Sequence, residues 1–133
     1  MPINIQNLLS ISKGLLNSAT GNEDYFRASS SRAYYSAFHA CSEAAKSELG
    51  QMPQQGQNYS FGHTELYDLF LNHKPPLVAR TKRDADIWRI GYLLKQARDL
   101  RVHADYKNGV FSLNDAQETI DHIEEILQLI KGL

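Results

Sequence analysis

Residues 81–106 read TKRDADIWRIGYLLKQARDLRVHADY, and this stretch decides the fold because its large apolar residues recur at helical spacing. On a helical wheel at about 100° per residue, with Arg98 at zero, the apolar residues of this stretch cluster at about 280°. They are Ile87, Ile90, Leu93, Leu94 and Ala97. The pattern predicts an amphipathic helix over 81–105 that buries one face and ends in a dense group of charged side chains.

The charged end of this helix divides into two faces on the same wheel. Arg101 at about 300° and Asp105 at about 340° lie on the apolar side, four residues apart, where the two side chains can pair. We expect this pair to be structural. Arg98, Asp99 and His103 lie at about 0°, 100° and 140°, on an arc that turns away from the core. The remaining members of this arc are Val102 and Tyr106. The sequence predicts that the outward arc is the functional site.

Length and composition are those of one globular domain that covers 1–133. The chain has 133 residues, of which 42% are hydrophobic and 22% charged, enough for a single core. No apolar run approaches the roughly 20 residues that a membrane span needs, and no signal-peptide pattern is recognised. The lone cysteine, Cys41, lies in an alanine-rich helical stretch and is expected to be a small buried residue. We expect a reduced, cytoplasmic chain with no membrane partner.

Helical spacing, caps and breakers divide the chain into five predicted helices, α1 to α5. Gly50 ends α2, Pro75 stops α3, and Ser112 followed by Asp115 approaches a capping box at the start of α5. No segment alternates with the period of a strand, so the predicted fold is all-α, an antiparallel up-and-down bundle of four or five helices. The predicted ranges are 3–19 for α1, 23–49 for α2, 63–72 for α3, 81–105 for α4 and 113–130 for α5.

Helix α5 carries an unbroken seam of apolar residues at alternating spacings of three and four. This seam and the aromatic face of α2 together offer more apolar surface than one bundle of this size needs, which favours a homodimer. The seam consists of Leu113, Ala116, Ile120, Ile123, Leu127 and Ile130.

Charge is unevenly distributed, although the formal net charge is only −1. Residues 74–107 carry nine basic and four acidic side chains, a local net charge of +5. Residues 108–133 carry five acidic side chains and one basic side chain, Lys131. Helix α4 is therefore a candidate phosphate-facing surface, and a solvated charged face is the alternative.

Two motifs give nearly the whole chain a resemblance to a known superfamily. R-A-Y-Y begins at Arg32 on α2, and R-D-x(3)-H-A-D-Y begins at Arg98 at the end of α4. Together they resemble the HEPN superfamily of helical domains (higher eukaryotes and prokaryotes nucleotide-binding). The R-x(4–6)-H pattern of its ribonuclease members falls on Arg98 and His103, with a polar residue, Asp99, directly after the arginine. A second branch, marked by R-A-Y-Y and R-x-x-A-D-Y, falls on 32–35 and 101–106.

The resemblance implies a metal-independent endoribonuclease of the HEPN toxin type, which needs no cofactor and leaves 2′,3′-cyclic phosphate ends. RNA supplies the nucleophile, its 2′-hydroxyl, so the enzyme has only to move protons and stabilise charge on the phosphate. His103 is the expected acid or base, and Arg98 the expected phosphate ligand. Asp99 lies four residues before His103 and is expected to orient the imidazole.

The resemblance also implies partners. It implies a homodimer whose two helix ends bring two arginines and two histidines into one cleft, and an antitoxin such as a minimal nucleotidyltransferase. Arg32 is expected to pair with Asp105. In toxins paired with such a transferase a tyrosine follows the histidine at two residues, whereas Tyr106 follows His103 at three. The alternative function is a non-catalytic nucleotide- or partner-binding module acting with a nucleotidyltransferase or defence complex. A third reading is a purely structural dimerisation domain.

Overall fold

A computed structural model describes residues 9–11, 13, 23–53, 61–106 and 112–133; of 23–25 and 103–106 it describes the backbone alone. All regular structure in these ranges is helical, and no helix in them is long and apolar enough to cross a membrane. Residues 9–11 and 13, within the predicted α1, are helical. The other elements are α2 (Glu23–Ser47), α3 (His63–Leu71), a 3₁₀ turn (Leu77–Ala79), α4 (Lys82–Tyr106) and α5 (Leu113–Lys131).

The helices form one bundle in which α4 packs against α2, α3 and α5. Helices α2 and α4 are antiparallel, because Glu48 beyond the end of α2 contacts Arg83 at the start of α4, and Tyr35 contacts Arg101. The short connection from α4 to α5 makes that pair antiparallel as well. Helix α3 departs from the predicted up-and-down order. It runs parallel to α2, because its first residue, His63, contacts Tyr34 while its far end lies beside the end of α2.

The centre of the core is the apolar face of α4 predicted from residues 81–106. Its five large apolar and alanine residues are all 0% exposed: Ile87, Ile90, Leu93, Leu94 and Ala97. Helix α2 packs against both α4 and α5, and most of the side chains that form its core-facing side are small, which lets helix backbones approach closely. Cys41 belongs to this small-residue face and is buried, as the sequence predicts. The small residues of α2 are Ala33, Ala37, Ala40, Cys41, Ala44 and Ala45.

The apolar seam of α5 is used inside the chain. Ala116, Ile120, Ile123 and Leu127 are buried, together with Ile126, which lies outside the seam. This corrects the expectation that the seam provides apolar surface for a second copy of the chain, since the bundle itself covers it. At its first position Leu113 is 49% exposed.

The predicted cap at the start of α5 is confirmed. The Ser112 side chain accepts from the backbone N–H of Asp115, and the Asp115 carboxylate accepts from the Ser112 N–H. Two otherwise unpaired N–H groups are thereby satisfied.

The start of α4 is fixed by Asp84, a buried carboxylate. It accepts from the backbone N–H of Thr81 at 2.8 Å and pairs with Nε2 of His73 at 2.7 Å. These hydrogen bonds hold the pKa of Asp84 below its ordinary value. Trp88, one turn along the helix, donates its indole N–H to the His73 carbonyl. The contacts tie the segment after α3 to the first turns of α4 and so fix how the two helices lie against each other.

A glycine permits the close approach of α3 to α4. A Cβ at Gly91 would lie 2.8 Å from the Cβ of Phe70 and 2.9 Å from the backbone nitrogen of Leu71. Real Cβ atoms are not found so close to other heavy atoms, so the two backbones meet only because residue 91 has no side chain.

We predict that Gly91→Ala destabilises the bundle. The overpacking costs about 1–3 kcal/mol, which exceeds the gain of up to about 1 kcal/mol that alanine brings to a helix interior. Urea unfolding followed by circular dichroism measures the difference. Gly132→Ala is the matched control, because its Cβ would make only ordinary contacts at 3.5 Å or more. Equal free energies of unfolding for the two variants would contradict the close approach.

Candidate functional site

Arg101 extends the buried face of α4 into a contact with α2. Its Nη2 donates to the Tyr35 hydroxyl at 2.6 Å, and its guanidinium carbon lies 4.9 Å from the Tyr35 ring centroid and 5.7 Å from that of Tyr34. A guanidinium stacks well on aromatic faces because it is planar and weakly hydrated. The predicted orientation of Arg101 toward the core is confirmed.

Arg98 does not lie on an outward arc as the wheel predicts. Its side chain is half-buried, and its Nε is buried without a hydrogen-bond partner among the described residues. The reason is Gly91, seven residues earlier and about 20° away on the wheel. The core-facing direction on the wheel is defined by large apolar residues alone, so Gly91 does not contribute to it. Helix α3 nevertheless packs on α4 at Gly91. Arg98 therefore points along the side of α4 that α3 covers.

His63, the first residue of α3, meets α2 at the same end of the bundle. Its Nδ1 lies 2.7 Å from the hydroxyl of Tyr34, a side chain that is 0% exposed. Its ring centroid lies 4.7 Å from that of Phe38 and 5.6 Å from that of Tyr34. The imidazole is thus held in one orientation by a hydrogen bond and two aromatic neighbours. We call Tyr34, Tyr35, His63, Arg98 and Arg101 the arginine–tyrosine cluster.

The electrostatics of this cluster are dominated by positive charge. Burial, and then the charges of Arg101 and Arg98, lower the pKa of His63. Burial raises the pKa of Tyr34 well above its ordinary value, although the two arginines act in the opposite direction. Near neutral pH both groups are therefore uncharged. Within the described part of the chain, no carboxylate is among the groups that shift either pKa.

Such a cluster is suited to an anion. Arginine forks match phosphate and carboxylate oxygens, and neutral hydroxyl and imidazole groups add hydrogen bonds without adding charge to the protein. Partial burial strengthens each of these interactions relative to bulk water.

The other predicted site residues are placed as follows. Asp99 is exposed, as the wheel predicts, and Arg32 on α2 is also exposed. His103 and Asp105 lie in α4 about one turn beyond the cluster, but their side chains are outside the described residues. The same holds for Tyr106, so the expected contacts Arg32–Asp105 and Arg101–Asp105 and the orientation of His103 stay predictions.

Sequence reasoning did not place His63 in the site. It is separated from Arg98 by more than thirty positions, and no helical spacing relates residues on different helices. The available signal was Gly91, whose missing side chain marks where another helix approaches α4. Tyr34 and Tyr35, on the aromatic face of α2, form the α2 side of the cluster.

A metal centre is not assembled by the residues described. No group of three or more His, Cys, Asp or Glu side chains among them is placed to hold an ion.

Comparison with known proteins finds no family model, no curated protein and no solved structure that matches the chain.

We predict that the two arginines differ in their effect on stability. Arg101→Met removes a charged hydrogen bond and the stacking on two tyrosines, and lowers the free energy of unfolding by about 2 kcal/mol. Arg98→Met keeps the aliphatic stem and removes a buried donor that has no partner among the described residues, so the free energy of unfolding does not fall and rises by up to about 1–3 kcal/mol, the cost of leaving such a donor unpaired. Urea unfolding measures both values. A loss for Arg98→Met as large as that for Arg101→Met would contradict the difference in partners.

We predict that His63 makes stability fall in mild acid. Its folded pKa lies below the ordinary 6.5, so between the two values the unfolded chain binds more protons than the folded chain. The contribution is complete above about pH 6.5 and is lost as pH falls through the lowered pKa. Melting temperatures at pH 7.5 and 5.5 should therefore differ less for His63→Gln than for the wild type. An unchanged difference in His63→Gln would contradict this assignment.

Proposed function

We propose that the chain is a HEPN-like endoribonuclease of the toxin type that cleaves RNA without a metal. The observation that supports this most is Arg98. Its guanidinium is half-buried beside a second arginine, and its buried Nε has no partner among the described residues. A desolvated donor of this kind gains more from a phosphate oxygen than an exposed arginine does. The same residue begins the R-x(4)-H motif on which the resemblance rests.

The chemistry assigns one role to each motif residue. Arg98 holds the oxygens of the scissile phosphate and stabilises the charge that develops there. His103 removes the proton of the 2′-hydroxyl or protonates the 5′-oxygen leaving group, since an imidazole can do either near neutral pH. The 2′-oxygen forms a bond to phosphorus as the bond to the 5′-oxygen breaks, which leaves a 2′,3′-cyclic phosphate. Asp99 orients His103 from one helical turn before it.

The proposal extends to the partners that the resemblance implies. A homodimer would bring two copies of the R-x(4)-H motif into one cleft, and an antitoxin such as a minimal nucleotidyltransferase would restrain the activity. Because the seam of α5 is covered within the chain, a dimer contact has to use other surface. A shared cleft requires that the two copies meet at the end of α4 where Arg98 and Arg101 lie.

We predict that the purified protein cleaves single-stranded RNA in the presence of EDTA and leaves 2′,3′-cyclic phosphate ends. DNA and RNA with a 2′-O-methyl group at the cut site stay intact, because both lack the free hydroxyl. His103→Ala lowers the rate by about 10²- to 10⁴-fold, the usual effect of losing a general acid or base. Asp99→Ala lowers it less, because it only orients the histidine. Gel electrophoresis of end-labelled RNA measures the rates.

His122→Ala is the matched control, a histidine on α5 paired with Glu118. It should leave the rate of cleavage unchanged. If wild type and His103→Ala both leave RNA intact while the wild type binds nucleotide or a nucleotidyltransferase, the ribonuclease is excluded. The binding module is then the function, with Arg98 as a contact residue.

A further inference from the structure

The imidazole of His63 is more tightly constrained than a surface histidine at a helix start needs to be. It contacts Tyr34 through Nδ1 at 2.7 Å, and the rings of Phe38 and Tyr34 lie against it. The residue is half-buried, so part of the ring edge still reaches solvent. The constrained orientation leaves Nε2 as the nitrogen that is free to meet a ligand.

The partner at Nδ1 decides which nitrogen carries the proton. The Tyr34 residue is fully buried, and His63 is the one hydrogen-bond partner that the described residues offer its hydroxyl. A buried O–H without an acceptor is costly, so the hydroxyl donates and Nδ1 accepts. In the neutral ring the proton then resides on Nε2, which becomes a donor. No described residue accepts a hydrogen bond from this nitrogen.

Two donors at this end of the bundle therefore have no acceptor among the described residues, Nε2–H of His63 and Nε–H of Arg98. They belong to one electrostatic environment, because the charge of Arg98 acts on the His63 imidazole. Two donors and a net positive charge call for a ligand that offers several oxygens and a negative charge. Phosphate has this chemistry, whereas a nucleobase offers fewer acceptors and no charge.

We propose that His63 binds a phosphate group of the RNA chain through Nε2–H, in the same site as Arg98, and that Tyr34 is the positioning residue that fixes the tautomer. The inference rests on the proposed function, because that function supplies RNA as the ligand. It adds to the site a phosphate-binding residue on α3, His63, that lies outside both sequence motifs. A neutral donor suits this role, since it adds a hydrogen bond without repelling the two neighbouring arginines.

The test uses 2′-O-methyl RNA, which keeps the phosphates and cannot be cleaved, so binding is measured apart from catalysis. Fluorescence anisotropy gives the affinity of the wild type and of His63→Asn, whose amide accepts from Tyr34 but lacks the outer donor. We expect His63→Asn to weaken binding by about 10- to 100-fold, the effect of one hydrogen bond to a charged group. His63→Gln places an amide N–H near the position of Nε2 and should bind close to wild type.

Nitrogen-15 NMR of the histidine ring tests the tautomer directly. In the free wild type the proton should reside on Nε2, and both the RNA and inorganic phosphate should shift the Nε2 resonance. In Tyr34→Phe the ring should populate both tautomers, and the affinity should fall although the side chain of His63 is unchanged. A proton found on Nδ1 in the wild type overturns the proposal, and this readout decides even if His63→Asn does not fold.

The remaining outcomes separate the inference from the proposed function. If Arg98→Met weakens RNA binding while His63→Asn binds like wild type, the inference on His63 is wrong and the proposed function stands. If the wild type binds neither the RNA nor phosphate, both are wrong. If inorganic phosphate shifts the Nε2 resonance of His63 but RNA does not bind, the proposed function is wrong. The assignment of the bound phosphate to RNA is then wrong too. His122→Asn, on α5, should bind like wild type in every arm.

Discussion

Burial of one apolar face of α4 is the constraint on which the rest of the structure depends. Ile87, Ile90 and Leu93 are fully buried against helices on several sides, so α4 cannot rotate without exposing them. Each such side chain contributes about 1.5–3 kcal/mol by its removal from water. Because the rotation is fixed, the directions of Arg98 and Arg101 are fixed too. The packing of the apolar middle of α4 therefore sets the orientation of its charged end, and contacts made by the charged end are not needed for this.

The second constraint is the contact between α3 and α4 at Gly91. Helix α3 is short and has few buried residues of its own, Leu66 and Phe70. It stays in place because a glycine lets its far end approach the backbone of α4. Since α3 runs antiparallel to α4, its first residue, His63, then lies beside the two arginines. A packing feature about two turns away thus decides which side chain completes the cluster.

The sequence predicted what depends on one helix at a time. The Ser112 cap, the burial of Cys41 and the inward orientation of Arg101 follow from local chemistry or a single periodicity, and the structure has all three. The orientation of Arg98 and the role of His63 depend on where a neighbouring helix packs. Apolar periodicity indicates how much of a helix surface is buried. It does not indicate which neighbouring helix or second copy of the chain covers the edges of the buried face. The seam of α5 shows the same limit, since its pattern does not tell whether the bundle or a second copy covers it.

In the arginine–tyrosine cluster two positively charged side chains are partly buried, and the described residues compensate the two charges unequally. Arg101 compensates its partial burial by stacking on two tyrosine rings and donating to Tyr35. Arg98 has no such compensation among the described residues, and a buried donor without a partner costs about 1–3 kcal/mol. Local arrangements that oppose stability are expected where a site is built for a ligand. An anion that accepts from Arg98 removes this cost on binding, so part of its affinity comes from a donor that the free protein has already desolvated and oriented.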